Sequence, residues 1–478
     1  MAGRSDWRNI RNCIGIGMKQ NWQSRNVLII GAARQGLAAA RYLSQRGANV
    51  IINDQRSEQQ LENEIINLQG SNVKWITGSH PINILENIDT ICISGGVPLQ
   101  LPLIVEAKKR NILLTNDSEI FMQAVNCPVV GITGSSGKTT TTALVGEIAK
   151  STESETKKVW VGGNIGKPLI EQIDIIQSDD LVILELSSFQ LQLMSTSPHI
   201  ATITNITPNH LDRHETIEAY TEAKARILDF QKNTDIAILN RDDQGAWNLQ
   251  EKINGKLFSF GKSRVNLQGN GTFIEDETIV ILNDGKTIPV CSTKDTHLLG
   301  EHNLLNIMAA CSIAFALNIS TDKMQNAIKA FQGVPHRLEF VKEIDEVKWY
   351  NDSIATAPER TIAAIKSFND PIVLLLGGKD KNLPWDRLSE IIHEKVDHVV
   401  IFGSAKELIE IAVGPVEVNK RPYSVSICKN MEGAIRNAHK IAEAGDIVLL
   451  SPGATSYDEF TDFEERGEKF RSWVQQLQ

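Results

Sequence analysis

The chain has few cysteines, and none of them stands in a pairing or metal-binding pattern. Its 478 residues include six cysteines, and no two of them form a C-x-x-C pair. A disulfide framework or a zinc site is therefore not expected, and a reducing cytoplasm is the expected compartment. The six are Cys13, Cys92, Cys127, Cys291, Cys311 and Cys428.

The sequence also lacks a basic run and a long apolar run. The formal net charge is −9, so a nucleic-acid partner has little electrostatic support. No apolar stretch approaches the roughly 20 residues that a membrane helix needs, so we expect no membrane partner. The first 17 residues hold three arginines without the apolar segment of a signal peptide. Either Met18 is the true start, or the preceding residues form a frayed arm.

Length and composition predict a folded protein of about three domains at roughly 150 residues each. Segments typical of strands, ending in glycine or small polar residues, alternate with helical segments, which predicts α/β sheets. The dipeptide at 284–285, Asp-Gly, predicts a hairpin turn. We place an extension at 1–24, a first domain at 25–117, a central domain at 118–333 and a third domain at 334–478.

One segment, "VVGITGSSGKTT", combines a buried strand, a glycine-rich loop and the start of a helix. It places Gly134, Gly137, Lys138 and Thr139 in the order of a phosphate-binding loop. Backbone N–H groups of such a loop surround phosphate, the lysine neutralises it, and the threonine holds Mg²⁺. The strict pattern needs glycine where Ile132 stands. We predict ATP and Mg²⁺ as cofactors; the alternative is a turn that binds nothing.

A second glycine turn, "GAARQG" at 31–36, resembles a dinucleotide-binding turn only in part. Ala33 replaces its middle glycine, although Asp54 follows at the end of the next strand, where a ribose ligand belongs. From these residues NAD, a nucleotide-diphosphate sugar and a purely structural turn all remain open.

Three polar residues of the central segment are candidates for metal chemistry. Glu185 ends an apolar strand, where a carboxylate is costly unless it meets a cation such as Mg²⁺; a solvated strand end is the alternative. His210 and His214 stand four apart, but Leu211 replaces the glutamate of a zinc hydrolase. A loop histidine near phosphate or Mg²⁺ is therefore favoured. Lys224, taken alone, is an ordinary helix lysine.

Eight segments resemble, in the same order, motifs of the Mur ligases of peptidoglycan synthesis. They are "TGSSGKTTTT", "GGNIGKPL", "LELSSFQL", "NITPNHLDRH", "GEHNLLNIMAA", "PHRLE", "NDSIAT" and "LLSPGATSYDEF". Each motif alone is modest, but the ordered set spans residues 25–478 and is highly specific. The segments "ELSSFQL" and "NDS-AT" resemble the D-glutamate-adding members, while histidine motifs typical of the alanine-adding and diaminopimelate- or lysine-adding members do not occur.

The resemblance implies a Rossmann-like N-terminal domain for a UDP-substrate, a central P-loop ATPase-like domain and a Rossmann-like C-terminal domain for the amino acid. It implies a cytoplasmic ligase that joins D-glutamate to UDP-N-acetylmuramoyl-L-alanine, and we take a monomer as the default. ATP would phosphorylate the substrate carboxylate, and the amine of D-glutamate would then displace phosphate. Phosphorylation gives a poor electrophile a good leaving group, and cations bring the anionic reactants together.

The motif positions also imply roles for individual residues. Lys224 matches a family lysine that CO₂ converts to a carbamate, which can bind metal as a carboxylate does. Thr139 would bind Mg²⁺ with the ATP phosphates, Glu185 and His210 would bind a second Mg²⁺, and Lys138 would complete the catalytic set. The other residues expected to bind ATP are Gly134, Ser135, Ser136, Gly137, Thr140, Asn306, Arg337 and Asp352. Those expected to contact the UDP-substrate are Asp54, Arg56 and Asn164, and those expected to contact D-glutamate are Lys381, Ser456 and Phe463.

Two residues depart from the family pattern. Many members have the sequence "NDSKATN", in which a lysine and an asparagine occupy the positions of Ile354 and Ala357. A cation near the reacting phosphate or the incoming amino acid is thereby lost, unless Lys379 or Lys381 compensates.

Four other functions are considered. Another Mur ligase is one of them, because the "GSSGKT" loop itself resembles that of the dipeptide-adding member. A folylpolyglutamate synthase typically lacks an N-terminal domain like residues 26–117. An NAD-dependent oxidoreductase would need glycine at position 33, and a non-catalytic nucleotide-binding module would not need Glu185, His210 and Lys224 together.

Overall fold

The structure, a computed structural model, describes residues 21–208, 211–265, 267, 269–298, 300–381 and 383–477, without the side chains of residues 211 and 212. The expected extension before residue 21, including the question of Met18, lies outside the described residues. The chain forms two compact units. One contains the described residues of Met1–Thr296 and Glu301–Phe331, and the other contains those of His297–Gly300 and Gln332–Gln478.

The first unit begins with a parallel sheet of five strands in the order β3-β2-β1-β4-β5. The strands are β1 (Asn26–Ile30), β2 (Asn49–Asp54), β3 (Val73–Thr77), β4 (Thr90–Ile93) and β5 (Leu113–Thr115). Its helices are α1 (Arg34–Gln45), α2 (Glu62–Asn67), α3 (Pro102–Lys109) and α4 (Asp117–Ala124). Residues 27–30 of β1 are fully buried, as the continuous apolar run predicts. The strand order reverses between β1 and β4, which opens a crevice at their carboxyl ends.

The same unit contains a nine-stranded sheet in the order β14-β13-β12-β11-β10-β9-β6-β8-β7. Its strands are β6 (Val129–Thr133), β7 (Val159–Gly163), β8 (Leu181–Glu185), β9 (Ile200–Ile203), β10 (Ile236–Asn240), β11 (Lys256–Phe260), β12 (Asn270–Glu275), β13 (Thr278–Asn283) and β14 (Lys286–Ser292). Its helices are α5 (Lys138–Lys150), α6 (Ser188–Leu191), α7 (Leu211–His214), α8 (Ile217–Asp229), α9 (Gln244–Trp247), α10 (Glu301–Ala316) and α11 (Thr321–Ala330). The pairings of β13 with β12 and with β14 are the antiparallel ones among these strands, and Asp284 and Gly285 join β13 to β14 with positive φ angles of 49° and 79°. The predicted hairpin is therefore present.

The second unit contains a six-stranded sheet in the order β15-β16-β20-β17-β18-β19. Its strands are β15 (Glu339–Ile344), β16 (Val347–Asn351), β17 (Ile372–Gly377), β18 (His398–Phe402), β19 (Ser424–Ile427) and β20 (Ile447–Gly453). Its helices are α12 (Pro358–Ile365), α13 (Asp386–Lys395), α14 (Lys406–Val413), α15 (Met431–Ile441) and α16 (Phe463–Gln475). Side chains of β17 alternate between two apolar clusters, with Leu374 in one and Leu375 in the other. The central strand is thus buried on both faces.

The predicted fold class, three α/β sheets, is confirmed. The domain boundaries at 24, 117 and 333 stay predictions. Among the described residues, no helix combines the length and apolar character needed to cross a bilayer. The five cysteines that the structure describes are free thiols.

A buried carboxylate joins the two sheets of the first unit. Glu119 on α4 is 2% exposed and accepts hydrogen bonds from the backbone N–H of Ser195, at 3.1 Å, and from the hydroxyl of Thr196, at 2.8 Å. The hydroxyl of Ser195 donates to the other carboxylate oxygen. Ser195 and Thr196 lie just before β9. Glu119 thereby fixes the five-stranded sheet against the sheet that carries the phosphate loop.

We expect Glu119→Ala to lower the free energy of unfolding by about 3 kcal/mol, since it leaves buried donors without their charged acceptor. Urea denaturation followed by circular dichroism measures this effect. Glu58→Ala, at an exposed position after β2, is the control. Equal denaturation midpoints for the two variants would contradict the assigned role of Glu119.

Candidate active site

The phosphate loop lies between β6 and α5, and close contacts leave no room for a side chain at its two glycines. Gly137 caps α5 with φ +80°, and a Cβ atom there would lie 2.2 Å from Oδ1 of Asn306. A Cβ atom on Gly134 would lie 1.8 Å from Oγ1 of Thr204. The loop is therefore packed between β9 and α10. Asn306 on α10, expected to bind ATP, does lie against this loop.

The structure explains why the strict glycine pattern is displaced. Ile132 is fully buried in β6, so its side chain belongs to the core of the sheet. A Cβ atom on Gly131 would lie 2.5 Å from Cγ of Pro198, so the glycine at 131 serves packing within the sheet. The loop itself starts only after Thr133. The missing glycine at 132 therefore does not alter the loop.

The segment after β9 holds the phosphate loop, a contribution that the sequence analysis missed. Oγ1 of Thr204 donates to the carbonyl of Ser136 at 2.6 Å. Asn205 accepts from the N–H groups of both Ser135 and Ser136, each at 2.9 Å. The hydroxyl of Tyr220 on α8 donates to Oγ of Ser135 at 3.0 Å. The available signal was topological, since β9 is the neighbour of β6 and both strands end at the same edge.

Two lysine ammonium groups meet at one carbonyl of the loop. Nζ of Lys138 donates to the carbonyl of Gly134 at 2.8 Å and to that of Ser135 at 3.3 Å. Nζ of Lys224, from α8, donates to the same Gly134 carbonyl at 2.8 Å, and its side chain is 1% exposed. Burial lowers the pKa of Lys224 well below its usual value, the charge of Lys138 lowers it further, and Glu185 partly opposes this. Desolvation thus shifts Lys224 toward its neutral, nucleophilic form.

Glu185, at the end of β8, is buried with one oxygen unused. Its Oε1 accepts from the side-chain amide of Asn164 at 2.8 Å, and its backbone carbonyl accepts from the N–H of Asn164, also at 2.8 Å. Its Oε2 is buried and has no hydrogen-bond partner among the described residues. The solvated strand end considered above is therefore wrong, because Glu185 is only 2% exposed. Asn164, expected to contact the UDP-substrate, is placed here as the residue that orients Glu185.

The orphaned oxygen of Glu185 fits a cation, because an unpaired buried carboxylate oxygen is costly. Within the described part of the chain, no group of three His, Cys, Asp or Glu residues could hold a metal. A metal bound beside Glu185 would therefore also need other donors, such as the hydroxyl of Thr139 or a modified Lys224. His210, the remaining expected ligand, lies outside the described residues.

His214 is a packed histidine within this region. Its Nε2 lies 2.9 Å from Oγ of Ser188, and its Nδ1 lies 3.1 Å from Nε2 of Gln192. Its ring stacks on Phe189 with centroids 5.1 Å apart. Both ring nitrogens are therefore engaged, and the four-residue spacing from His210 does not indicate a shared metal.

Asp54 and Arg56 lie at the crevice of the five-stranded sheet. Oδ2 of Asp54 accepts from the N–H of Ala32 in the glycine turn at 2.8 Å and from the guanidinium of Arg56 at 3.0 Å. Burial alone would raise the pKa of Asp54, but these bonds outweigh it and hold the pKa below its usual value. The ion pair of Asp54 and Arg56 thus persists, and Asp54 holds the glycine turn at 31–36 in place. Contact with uridine stays a prediction for both residues.

In the second unit, Asp352 lies buried beyond β16. Its Oδ2 accepts from the hydroxyl of Ser451 at 2.8 Å, and its Oδ1 accepts from the N–H of Leu338 at 3.2 Å. Burial raises the pKa of Asp352 to about 7, although these hydrogen bonds and the charges of Arg337 and Arg360 oppose the rise. Arg337 and Asp352, both expected to bind ATP, are therefore neighbours.

The three residues expected to contact D-glutamate follow different elements of the same unit. Lys381 follows β17, and its Nζ lies 3.4 Å from Oγ1 of Thr356. Ser456 follows β20 and is 2% exposed. Phe463 begins α16, and its carbonyl accepts from the hydroxyl of Ser353 at 2.8 Å. The carboxyl ends of β16, β17 and β20 thus carry all three, directly or through Ser353.

A buried arginine missed by the sequence analysis connects these loops. Arg466 on α16 is 0% exposed and donates to the carbonyls of Ser353, at 2.9 Å, and Ala454, at 3.1 Å. Its Nε also donates to the hydroxyl of Ser353 at 3.0 Å. Burial lowers its pKa to about 10, which leaves it charged at neutral pH. No sequence pattern separates such an arginine from a surface arginine of an amphipathic helix.

Three family models match the sequence. The Mur ligase MurD-like N-terminal domain matches residues 25–116, the Mur ligase middle domain matches residues 132–314, and the Mur ligase glutamate ligase domain matches residues 336–453. Together they cover most of the chain.

Full-length relatives agree with these models. The UDP-N-acetylmuramoylalanine–D-glutamate ligase of Clostridium tetani (strain Massachusetts / E88) is 38% identical over 95% of this chain and 97% of its own. The enzyme of the same name from Clostridioides difficile (strain 630) is 38% identical over 95% of this chain and 99% of its own.

Solved structures are similar in fold at lower identity. The UDP-N-acetylmuramate-alanine ligase MurC of Thermotoga maritima is 17% identical, with a TM-score of 0.54 over 94% of this chain and 99% of that one. The MurF ligase of Thermotoga maritima, in complex with ADP, is also 17% identical, with a TM-score of 0.52 over 96% of this chain and 99% of that one. Because three family models cover most of its length and the two relatives match 95% of it, the chain belongs to the Mur ligase family.

Proposed function

We propose that this chain is an ATP-dependent ligase that joins D-glutamate to UDP-N-acetylmuramoyl-L-alanine in peptidoglycan precursor synthesis. The observation that carries the proposal is the match over 95% of the chain to relatives named UDP-N-acetylmuramoylalanine–D-glutamate ligase. The phosphate loop between β6 and α5 supports the use of ATP. The products would be the amide, ADP and phosphate. The proposal includes a cytoplasmic location and a monomeric enzyme.

The N-terminus of α5 would bind the phosphates of ATP. Asn205 already engages the N–H groups of Ser135 and Ser136, whereas the first turn of a helix leaves its N–H groups without intrahelical partners. We therefore assign phosphate binding to the N–H groups of Lys138, Thr139 and Thr140. The ammonium group of Lys138, which now donates to loop carbonyls, would turn to the phosphate.

Thr139 would hold the Mg²⁺ of ATP, and Glu185, His210 and a carbamate formed on Lys224 would hold a second Mg²⁺ ion. The ion would neutralise charge where an anionic carboxylate approaches an anionic phosphate. The orphaned Oε2 of Glu185 and the lowered pKa of Lys224 support this set, since a neutral amine can add CO₂. The new carboxylate would also remove the repulsion between Lys224 and Lys138.

Residues of the second unit would bind the amino acid and contribute contacts to ATP. Lys381, Ser456 and Phe463 would contact D-glutamate, and Arg337 and Asp352 would contact ATP. The substrate carboxylate of UDP-N-acetylmuramoyl-L-alanine would become an acyl phosphate, and the amine of D-glutamate would then displace phosphate. Cationic side chains favour each step because every reactant is an anion.

The first test is amino-acid-dependent phosphate release. With ATP, Mg²⁺ and UDP-N-acetylmuramoyl-L-alanine, we expect D-glutamate to release phosphate at least a hundredfold faster than L-glutamate does, on the order of what matched polar contacts can discriminate. Release with a different amino acid would favour another Mur ligase, and release only with a folate acceptor would favour a folylpolyglutamate synthase. No release with any of these would contradict the proposal.

A second test addresses Lys224. Lys224→Ala removes both the metal ligand and the buried amine, so we expect kcat to fall by about a hundredfold or more. Short carboxylic acids such as formate or acetate should restore part of the activity by replacing the carbamate. Lys256→Ala, at an exposed lysine on β11 of the same unit, should behave as wild type. A fully active Lys224→Ala enzyme would show that the carbamate assignment is wrong.

A third test addresses the loop glycine at 137. Gly137→Ala introduces a Cβ atom 2.2 Å from Oδ1 of Asn306, so we expect ATP to bind about tenfold more weakly or worse. Gly285→Ala has nearly the same φ, 79°, but meets no atom within 4 Å, and it isolates the backbone strain. Calorimetric ATP titration compares the two variants. Wild-type affinity in Gly137→Ala would mean that the packing of Asn306 on the loop is dispensable for nucleotide binding.

A further inference from the structure

The loop at 352–357 holds a guanidinium group against the position where many family members have a lysine. That position is Ile354, which carries no charge. Nη1 of Arg360 donates to the backbone carbonyl of Ile354 at 3.0 Å. Arg360 belongs to the first turn of α12, and its side chain is exposed. The guanidinium of Arg360, the third residue of α12, thus lies at the loop at 352–357, where Ile354 contributes no cation.

Arg360 belongs to a group of cations in the second unit. Partial desolvation lowers the pKa of Lys381, and the charges of Arg360 and Arg466 lower it further. Desolvation also lowers the pKa of Arg360, with Arg337 adding to the effect and Asp352 opposing it. These groups therefore lie within electrostatic range of one another.

Of the carboxylates described near this group, Asp352, Asp458 and Glu459 each interact with a partner within the protein. Asp352 is buried and hydrogen-bonded to Ser451, and burial raises its pKa to about 7, so it carries only part of a negative charge at neutral pH. Asp458 and Glu459 interact with the buried Arg466. The positive charges of Arg360 and Lys381 favour an anionic ligand.

We propose that Arg360 binds a carboxylate of the incoming D-glutamate beside Lys381, and supplies the cation that Ile354 cannot. This rests on the function proposed above. A guanidinium offers five N–H groups in a planar fork that matches a carboxylate, and the bond to the carbonyl of Ile354 uses one of them and orients the rest. Lys381 is itself held 3.4 Å from Thr356 of the same loop, which favours the amino acid as the shared ligand.

Another anion in the reaction that Arg360 could bind is a phosphate of ATP. Arg337, a neighbour in the group, is expected to contact that phosphate. The two assignments differ in which Michaelis constant depends on Arg360. An amino-acid carboxylate makes the KM for D-glutamate sensitive, and a phosphate makes the KM for ATP sensitive.

The experiment measures both constants in the full-length chain. Arg360→Gln keeps a donor for the carbonyl of Ile354 and removes the charge. We expect its KM for D-glutamate to rise at least tenfold, while kcat changes by less than about threefold and the KM for ATP is unchanged. Arg387→Ala, at an exposed arginine on α13, is the control and should leave all three constants unchanged.

A charge-restoring variant completes the test. Adding Ile354→Lys to Arg360→Gln restores a cation from the position that many family members use, so most of the lost affinity for D-glutamate should return. A wild-type KM for D-glutamate in Arg360→Gln, a rise confined to the KM for ATP, or no recovery in the double variant would each overturn the proposal. A wild-type enzyme that does not use D-glutamate at all would contradict the proposed function instead.

Discussion

The carbonyl of Gly134 accepts hydrogen bonds from two lysine ammonium groups, and the rest of the active site depends on this shared contact. Lys138 and Lys224 each approach it to 2.8 Å. Two like charges in a buried place repel each other, and Glu185 is the nearby carboxylate that moderates the repulsion. Added negative charge would reduce this repulsion. An ATP phosphate near Lys138 and a carbamate on Lys224 would each supply it, so the geometry favours anionic ligands before any ligand arrives.

Sheet topology makes that contact possible. Strands β8, β6 and β9 are adjacent and parallel, so the loops that follow them meet at one edge. Glu185 comes from the first, the phosphate loop from the second, and the supporting residues Thr204 and Asn205 from the third. Helix α8 then returns along the sheet and brings Lys224 beneath the loop. Each residue is placed by its position at a strand end, which is why the ordered motifs carry so much information.

The sequence predicted the sheets and the phosphate loop because their signals are local. Buried apolar runs mark the strands, and Gly134, Gly137 and Lys138 mark the loop within a few residues. The support of the loop could not be read in this way, since Thr204 and Asn205 are about 70 residues away from it. Asn164 illustrates a second limit of prediction from the sequence. The motif "GGNIG" drew attention to this asparagine, but its bond to Glu185 depends on the pairing of β7 with β8.

Buried arginines were beyond sequence reasoning for a physical reason. Arg466 and Arg241 are both almost fully buried, and burial lowers the pKa of each to about 10. Each survives burial by donating to backbone carbonyls of loops, which are acceptors that every residue possesses and no sequence pattern reveals.

The two arginines hold loops by charged groups, whereas the phosphate loop is held mainly by neutral ones. Arg241 donates to the carbonyls of Gly261 and Ser263, in the loop after β11, at 2.9 and 3.1 Å, and Arg466 spans the loops after β16 and β20. The phosphate loop is held by neutral Thr204 and Asn205, apart from the two lysines that a ligand would draw away. A permanent guanidinium suits a loop whose shape must persist through binding. Neutral hydroxyl and amide groups suit the loop that must leave its own cations available to phosphate.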